Sequence, residues 1–265
     1  MLERPAFVGL PGAGLLSLPA AAATQEKRKV PRVGVLAFTE TTPALQDAFR
    51  QGLRDLGYVE GQTVVVEWRA AEGRPDRARA FAQEFVRQKV DIIVADLTPA
   101  VQAAKSATTT IPIVMASAGD PVRTGFVVSL ARPGGNITGL TGISAELSGK
   151  RIELLRELLP GLSRVALLVN ATNPFVKSLV AETREVVTDA HLHLSVLDVR
   201  KPEDLAAAFS ELVKRRAGAV IVDAALTPWH AADLALRPRV PSVSNQRRFA
   251  ESGGLMSHAA LPEDI

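Results

Sequence analysis

The residues best able to do chemistry in this chain are short polar side chains that follow buried apolar runs. Asp120 comes soon after the run 113–116, and Asp223 directly follows the run 219–222. Both runs have the length and residue types of buried parallel strands. Because open α/β sheets bind ligands just beyond the carboxyl ends of their strands, we expect these carboxylates to lie at a small-molecule site.

The other loops at these strand ends add hydroxyl, amide and apolar groups to the candidate site. Two of the loops open helices, whose free backbone N–H groups favour a carboxylate. For any single threonine here a helix cap is the commoner role, and Asp120 has the alternative of capping the turn that begins at Arg123. The candidate ligand-binding residues are Phe38, Thr39, Thr42, Thr98, Pro99, Asp120, Pro121, Asn170, Thr172, Asp223 and Asn245.

An alternation of strands and helices must position these loops. Strands separated by helices of ten to fifteen residues indicate βαβ units and a parallel sheet. In the first half the predicted strands are 32–38, 63–68, 91–95, 113–116 and 137–142, and the predicted helices are 44–56, 75–88 and 99–107. The apolar residues that share one face of the first helix at helical spacing are Leu45, Ala48, Phe49, Leu53 and Leu56.

The second half of the chain repeats the same rhythm, so the predicted fold class is α/β with two lobes, each a parallel sheet flanked by helices. The polar loops of the two lobes would then face each other across a cleft. The predicted strands are 164–169, 193–199, 219–222 and 241–244, and the helices are 144–159, 174–190, 202–215 and a weak one near 229–236. The apolar-edged face of helix 144–159 consists of Leu147, Arg151, Leu154, Leu155 and Leu158.

A glycine-rich stretch between the two halves is expected to link the lobes. Gly139, Thr141 and Gly142 lack bulky side chains, so this stretch should pack loosely, bend easily and act as part of a hinge. The expected domains are a leader and polar tail at 1–30, an amino-terminal lobe at 31–140, a carboxy-terminal lobe at 141–257 and a short return toward the first lobe at 258–265.

Composition narrows the function classes. A chain of 265 residues is long enough for two modest domains, each with its own core. The net charge of +3 comes from 31 basic and 28 acidic residues that are interleaved along the chain, so no nucleic-acid partner is expected. The lack of cysteine excludes disulfides and thiol nucleophiles.

The sequence contains no motif of a nucleophilic hydrolase, a phosphate-binding loop or a zinc protease, which predicts a protein that is not an enzyme and needs no cofactor. His191 and His193 would share a strand face, but without a nearby carboxylate they do not predict a metal site. An acid–base pair among the strand-end aspartates is the weaker alternative, since such carboxylates are as often caps or ion-pair partners.

The first residues predict an exported protein. Residues 7–23 are apolar and end in four alanines, which is typical of the hydrophobic region and cleavage site of a secretory signal. The run is too short and too interrupted to span a bilayer. The alternative is a disordered leader on a cytoplasmic protein.

Three blocks carry a family resemblance: DPV at 120–122, SLARPGGNITG at 129–139 and GKRIELLRELLPGLSRVALLVN at 149–170. They resemble the substrate-binding proteins of ABC transporters that adopt the type I periplasmic-binding fold, over residues 33–257. The resemblance implies a periplasmic or otherwise exported protein that binds a small polar molecule between its lobes. It would deliver this ligand to a membrane permease, without chemistry or cofactor.

The resemblance also suggests a ligand class, an amino acid or similar zwitterion. Helix N-termini and Thr98 would take its carboxylate, and Asp120 or Asp223 its ammonium group. Asp96 stands where a small residue is expected in the family. Aromatic residues that could face the ligand side chain are Phe38, Phe175 and Trp229.

Two further expectations concern assembly and alternatives. The chain ends sooner than family members, so we expect some of the segments that pack on the first lobe in the family to be missing. A monomer is expected, and dimerisation through the uncovered apolar surface is the alternative. A ligand-sensing domain of a cytoplasmic regulator is the competing function, and an enzyme is third.

Overall fold

A computed structural model describes residues 29–142 and 147–259 of the protein. The predicted secretory signal at 7–23, the start of the predicted helix 144–159 and the last residues, 260–265, lie outside the described residues. Within the described ranges, no helix is long and apolar enough to cross a bilayer. The two-lobed α/β fold is confirmed, because the chain forms two separate five-stranded sheets whose strands are all parallel, with helices flanking each.

The first lobe contains strands β1 (Arg32–Ala37), β2 (Val65–Ala70), β3 (Ile92–Asp96), β4 (Ile113–Ser117) and β5 (Ile137–Gly139) and helices α1 (Pro43–Asp55), α2 (Pro75–Gln88) and α3 (Thr98–Ala107). Its strand order is β2-β1-β3-β4-β5. The strand ends that follow β1, β3 and β4 therefore meet at one edge of this sheet, as the sequence predicts.

The second lobe contains helices α4 (Ser148–Leu158), α5 (Val176–Asp189), α6 (Leu205–Lys214), α7 (Pro228–Leu236) and α8 (Arg247–Glu251) and strands β6 (Arg164–Asn170), β7 (His193–Val199), β8 (Ala219–Val222), β9 (Ser242–Ser244) and β10 (Met256–Ser257). Its strand order is β10-β9-β8-β6-β7. Apart from β5, α4 and α6, the predicted elements of both lobes end within two residues of the observed ones. A short 3-10 turn at Pro202–Asp204 precedes α6 and accounts for its later start.

Helix α2 shows how local sequence fixes the packing of the first lobe. Pro75 occupies the first turn, where its missing N–H costs no hydrogen bond, and Ala78, Ala82 and Phe85 form the buried face. The Phe85 ring lies directly on Gly34 of β1, where a Cβ atom would come within 2.8 Å of the ring. The close approach of α2 to the sheet therefore requires glycine at this position of the strand.

The apolar face predicted for α1 packs against the sheet only in part. None of the residues in this helix is buried, and Leu45 and Leu56 are strongly exposed. Only Phe49 and Leu53 pack against a small cluster of valines on β1 and β2. This outer part of the sheet offers few apolar neighbours. The apolar face of α1 therefore has too small a surface to pack against.

The stretch predicted as a thin, loosely packed strand is shorter and tighter than expected. It leaves the sheet after Gly139, which has a φ of 133°. A Cβ atom on Gly139 would lie 2.2 Å from the carbonyl oxygen of Met115, so the expected loose packing is wrong at this residue. Beyond it, Thr141 Oγ1 and the Gly142 backbone N–H both donate to the Ala118 carbonyl. The hinge itself stays a prediction.

Two elements at the end of the second lobe were not predicted. Helix α8 is too short to show a periodic pattern, yet its Phe249 is fully buried. Gly254 passes so close to it that a Cβ atom there would lie 2.1 Å from the ring. Strand β10 pairs with β9 and completes this edge of the sheet.

Candidate ligand-binding site

A cavity of about 230 Å³ lies between the two lobes, at the carboxyl ends of their strands. The first lobe lines it with the loops after β3 and β4, and the second lobe with the loops after β6, β8 and β9 and with α4. Polar or charged residues among the described lining are Thr98, Ser117, Arg151, Asn173, Asp223 and Asn245. This is the kind of interlobe position in which small ligands are bound.

The first-lobe wall is a turn held together by its own hydrogen bonds. The buried hydroxyl of Thr98 accepts a hydrogen bond of 2.9 Å from the backbone N–H of Gly119. Leu97 begins the turn with a φ of 69°, a conformation that is uncommon for a residue with a side chain. The Thr98 hydroxyl proton can still be donated to an acceptor in the cavity.

The second-lobe wall centres on the buried carboxylate of Asp223. It accepts hydrogen bonds from the backbone N–H groups of Asn170 and Ala225, each at 3.1 Å, and a longer one of 3.4 Å from the Asn173 amide. Burial raises the pKa of Asp223, and these three donors oppose that rise. The carboxylate therefore links the loops after β6 and β8 by hydrogen bonds, and it also borders the cavity.

Asn170 and Thr172 support this wall from behind. The Asn170 amide donates to the Ala225 carbonyl at 3.1 Å, and its oxygen accepts from the Thr172 backbone N–H and hydroxyl. Neither residue borders the cavity. Their polar atoms are satisfied within the loop, so their contribution is to fix the positions of Asn173 and Asp223.

Phe175 closes the cavity against the first lobe. It precedes α5, is buried, and lies on Gly119 so closely that a Cβ atom there would come within 2.5 Å of the ring. Other large apolar residues of the wall are Leu97, Leu147, Leu167, Leu179, Ile221 and Val222. The cavity thus combines a polar side with an apolar side, the usual makeup of a small-molecule site.

Arg151 is the basic residue among the described lining residues. It lies on α4, is only 3% exposed, and donates from Nε to the His258 carbonyl at 3.0 Å. Burial lowers the pKa of Arg151 to about 10, because removing a cation from water disfavours its charged form. The guanidinium remains charged at neutral pH.

Outside the cavity, ion pairs join the two lobes. Arg74 pairs with Glu203, and Arg123 reaches Glu182 at 3.2 Å. A third pair, between Arg248 and Glu40, is longer, at 4.0 Å. Together with the contact between Phe175 and Gly119, these pairs show that the lobes are closed on each other.

Comparison with known proteins places this architecture in a family. The model of the ABC transporter substrate binding protein family matches residues 32–261. The chain belongs to this family. It is a substrate-binding protein of the ABC transport type, which binds small molecules and is not an enzyme.

Individual relatives agree with this assignment. The substrate-binding protein is 27% identical over 242 residues to a tyrosine-binding protein of Clostridioides difficile, which covers 89% of this chain and 68% of the relative. A conserved domain protein of Vibrio cholerae has 28% identity and a TM-score of 0.75, covering 86% of this chain and 78% of that one. A Streptococcus pneumonia ABC domain solved with L-Trp has 24% identity and a TM-score of 0.76, with 88% and 80% coverage, and shares the fold.

Of the polar candidates named from sequence, three border the cavity of this substrate-binding protein, Thr98, Asp223 and Asn245, and of the aromatic candidates Phe175 does. Several others do not, because they pack in the core or cap a helix. Phe38 is fully buried in the core of the first lobe, and Thr42 caps α1 by accepting from the Leu45 N–H at 3.1 Å. The remaining residues away from the described lining are Thr39, Pro99, Asn170, Thr172 and, among the aromatic candidates, Trp229.

Asp120 has the geometry of the alternative role that the sequence left open. Its carboxylate accepts from the backbone N–H of Arg123 at 2.9 Å and contacts the same residue's guanidinium at 3.2 Å. With Pro121 it lines a separate, more open groove that shares only Gly142 and Phe175 with the interlobe cavity. A ligand contact from Asp120 therefore finds no support in this arrangement.

Sequence reasoning did not select Arg151 as a binding residue. A usable signal was present, because Leu147, Arg151 and Leu155 share one face of α4. A charged side chain at the centre of an apolar face is seldom buried unless it is paired. The mostly apolar surroundings made that face look like ordinary core packing.

Proposed function

We propose that this substrate-binding protein holds one L-amino acid with an aromatic or other large apolar side chain between its lobes, for delivery to an ABC permease. The observation that carries the proposal is the lining of the interlobe cavity. Its ionisable side chains, among the described residues, are one acid, Asp223, and one base, Arg151. A zwitterion would complement this pair with its own two charges.

The size and apolar side of the cavity support an amino acid with a ring. A dry apolar cavity of about 150 Å³ holds benzene. A cavity of about 230 Å³ leaves room for a ring and for a short polar part beside it. Phe175 and the leucines of the wall would contact the ring, while Thr98, Asn173 and Asn245 would hold the polar atoms.

The relative from Clostridioides difficile supports the same ligand class by its name, a tyrosine-binding protein. We therefore put L-tyrosine first among the candidate ligands, followed by L-tryptophan and L-phenylalanine. Smaller or strongly charged amino acids would leave the apolar side of the cavity unfilled.

The proposal can be tested by thermal unfolding of the protein with each of the twenty common L-amino acids, followed by calorimetric titration. A ligand present at 100 times its Kd stabilises the folded state by about 2.7 kcal/mol, which corresponds to roughly 5–10 °C in Tm for a chain of this size. We expect such a shift with aromatic L-amino acids and a smaller one with their D-isomers. A chain stabilised only by sugars or by dicarboxylates would contradict the proposal.

We also propose that the protein works outside the cytoplasm, as a monomer that meets its permease at the membrane. The family and the apolar stretch 7–23 support this location. Amino-terminal sequencing of protein from the exported fraction should show a chain that begins near Thr24. Intact protein found only in the cytoplasm would instead favour a ligand-sensing regulator.

A further inference from the structure

A buried hydroxyl group of the second lobe lacks a hydrogen-bond partner. Thr183 lies on α5 and is only 1% exposed, and its Oγ1 atom makes no hydrogen bond to any residue that the structure describes. A hydroxyl group removed from water without a partner is costly, so buried polar groups are nearly always paired. An unpaired hydroxyl at this position therefore needs a physical reason.

Helix α5 itself shows the partner that a threonine usually finds. A threonine within a helix can donate its hydroxyl proton to the carbonyl four residues earlier. Thr188, on the exposed side of the same helix, does so, and its Oγ1 donates to the Arg184 carbonyl at 2.8 Å. Thr183 makes no such bond to the Leu179 carbonyl. Its hydroxyl group can therefore both donate to and accept from another molecule.

Thr183 lies on the face of α5 that starts at the interlobe cavity. The buried residues of this helix, one turn apart, are Leu179, Thr183 and Val187, and Leu179 borders the cavity. Side chains of a helix tilt toward its N-terminus. Phe175, which also borders the cavity, lies at this end of α5. The Thr183 side chain is thus directed toward the cavity from one turn behind Leu179, a rise of about 5.4 Å along the helix.

The apolar side of the cavity leads in the same direction. It shares four residues with the core cluster formed by β6, β8, α4 and α5, namely Leu167, Phe175, Leu179 and Ile221. An aromatic amino acid whose charged groups lie at the strand ends, near Asp223, would place its ring on this side. The far edge of the ring, which carries the hydroxyl group in tyrosine, then points toward Thr183.

We propose that Thr183 selects L-tyrosine over L-phenylalanine, through a hydrogen bond between its hydroxyl group and the phenolic hydroxyl group of the ligand. The assignment rests on the proposed function, since it needs an aromatic amino acid in the cavity. Each of the two hydroxyl groups can donate and accept, so each can pair with the other. With L-phenylalanine bound, Thr183 stays unpaired, and the cost of its burial is not removed.

The test measures the affinities of the native protein and of Thr183→Val for L-tyrosine and L-phenylalanine. The native protein should prefer L-tyrosine by about fivefold or more, the effect of one hydrogen bond in a buried site. Valine replaces the hydroxyl group by a methyl group of similar size. Thr183→Val should therefore lose about five- to a hundredfold in affinity for L-tyrosine, whose hydroxyl group would be buried without a partner, and should bind L-phenylalanine at least as well as the native protein.

The stability of the ligand-free protein gives a second readout. Removing an unpaired buried hydroxyl group removes its cost, so the Tm of Thr183→Val should rise by about 2–4 °C. Thr183→Ser keeps the hydroxyl group and should retain the preference for L-tyrosine. Thr188→Val removes the paired, exposed hydroxyl group of the same helix and should leave that preference unchanged.

Three outcomes would overturn the assignment. Equal affinities of the native protein for L-tyrosine and L-phenylalanine would keep the proposed ligand class but refute selection by Thr183, as expected if a water molecule pairs with this hydroxyl group instead. An unchanged preference for L-tyrosine in Thr183→Val would show that the hydroxyl group does not contact the ligand. A native protein that binds neither amino acid but binds other solutes would refute the proposed ligand class, and the role of Thr183 with it.

Discussion

The two walls of the cavity differ in what they offer a ligand. The first-lobe wall has two small hydroxyl side chains, Thr98 and Ser117, and a backbone turn closed by its own hydrogen bonds. The second-lobe wall carries the charged groups, Arg151 and Asp223, each held by neighbours in the same lobe. The ionisable side chains of the described lining therefore all belong to the second lobe, while the first lobe contributes neutral polar and apolar groups.

The strand-end acids of the two lobes sharpen the contrast. In the first lobe Asp96 ends β3 and Asp120 follows β4, as Asp223 follows β8 in the second, yet of these three only Asp223 borders the cavity. Asp120 is followed by Pro121 and turns back to cap the Arg123 N–H. Asp223 instead collects donors from two loops. The same sequence pattern thus yields a local cap in one lobe and a cavity-lining carboxylate in the other.

The largest effect should come from Asp223→Ala. This change leaves the buried N–H groups of Asn170 and Ala225 without an acceptor, and each unsatisfied donor costs about 1–3 kcal/mol, so the free energy of unfolding should fall by about 2–6 kcal/mol. Urea unfolding measures the loss, and titration with L-tyrosine should show no binding at concentrations that saturate the native protein.

Asp120→Ala is the matched control in the first lobe. It removes one partly exposed cap, which costs about 0.5–2 kcal/mol, and it should leave the affinity for L-tyrosine unchanged. A larger loss of affinity in Asp120→Ala than in Asp223→Ala would reverse the contrast between the two walls.

The second effect is the pH dependence of stability that comes from Asp96 in the first lobe. Burial raises the pKa of Asp96 to about 6, and the Leu97 backbone N–H is the donor that opposes this rise. The folded chain then binds a proton more tightly than the unfolded chain, so stability is greatest below about pH 4 for this group and falls as pH rises to about 6. The loss is at most about 3 kcal/mol.

The measurement for Asp96 is the free energy of unfolding between pH 4 and pH 7 in the native protein and in Asp96→Asn. The variant cannot ionise at this position, so its profile should lack the decline assigned to Asp96. Parallel profiles across this window would show that Asp96 titrates normally and that its burial carries no penalty.

The fold could be predicted from sequence because its signals are local and repeated. Strands β7 and β8 were placed with their observed bounds, and α2 was placed correctly from Pro75 and its apolar face. The face of α1 was misjudged because its periodicity is present but its partner surface is small. Helix α8 escaped prediction because one turn and a half cannot show a period.

The candidate site was harder to predict, since lining a cavity depends on how two lobes meet. Sequence could place Thr98, Asp223 and Asn245 at strand ends, and all three border the cavity. It could not decide whether a strand-end carboxylate turns inward, as Asp223 does, or caps its own loop, as Asp120 does. Phe175 of the other lobe packs directly on Gly119, which leaves no room for a side chain there. Sequence could not show this contact between the lobes.

The third effect tests the closing role of the first-lobe wall. In Gly119→Ala the new Cβ would lie 2.5 Å from the Phe175 ring, so the lobes cannot close without moving one of them. Overpacking of this kind costs about 1–3 kcal/mol, which should weaken L-tyrosine binding by about five- to a hundredfold.

Gly135→Ala is the control for Gly119→Ala, since a Cβ there meets nothing within 4 Å. Small-angle scattering with saturating L-tyrosine should show a compact native protein and control, and a more extended Gly119→Ala variant. If Gly119→Ala compacts and binds like the native protein, the contact with Phe175 does not determine closure.

The smallest effect concerns the ion pairs between the lobes. Glu203→Gln removes the partner of Arg74, and exposed pairs of this type contribute about 0.2–1 kcal/mol. Because this pair joins the two lobes, its loss should weaken ligand binding by less than about fivefold and should not lower the stability of either lobe's sheet. Glu211→Gln, which breaks an exposed pair with Arg215 inside the second lobe, is the control and should leave affinity unchanged.

Raising the salt concentration should weaken binding in the native protein more than in Glu203→Gln. A Glu203→Gln variant with native affinity and native salt dependence would show that shape, rather than charge at the lobe edges, holds the closed state.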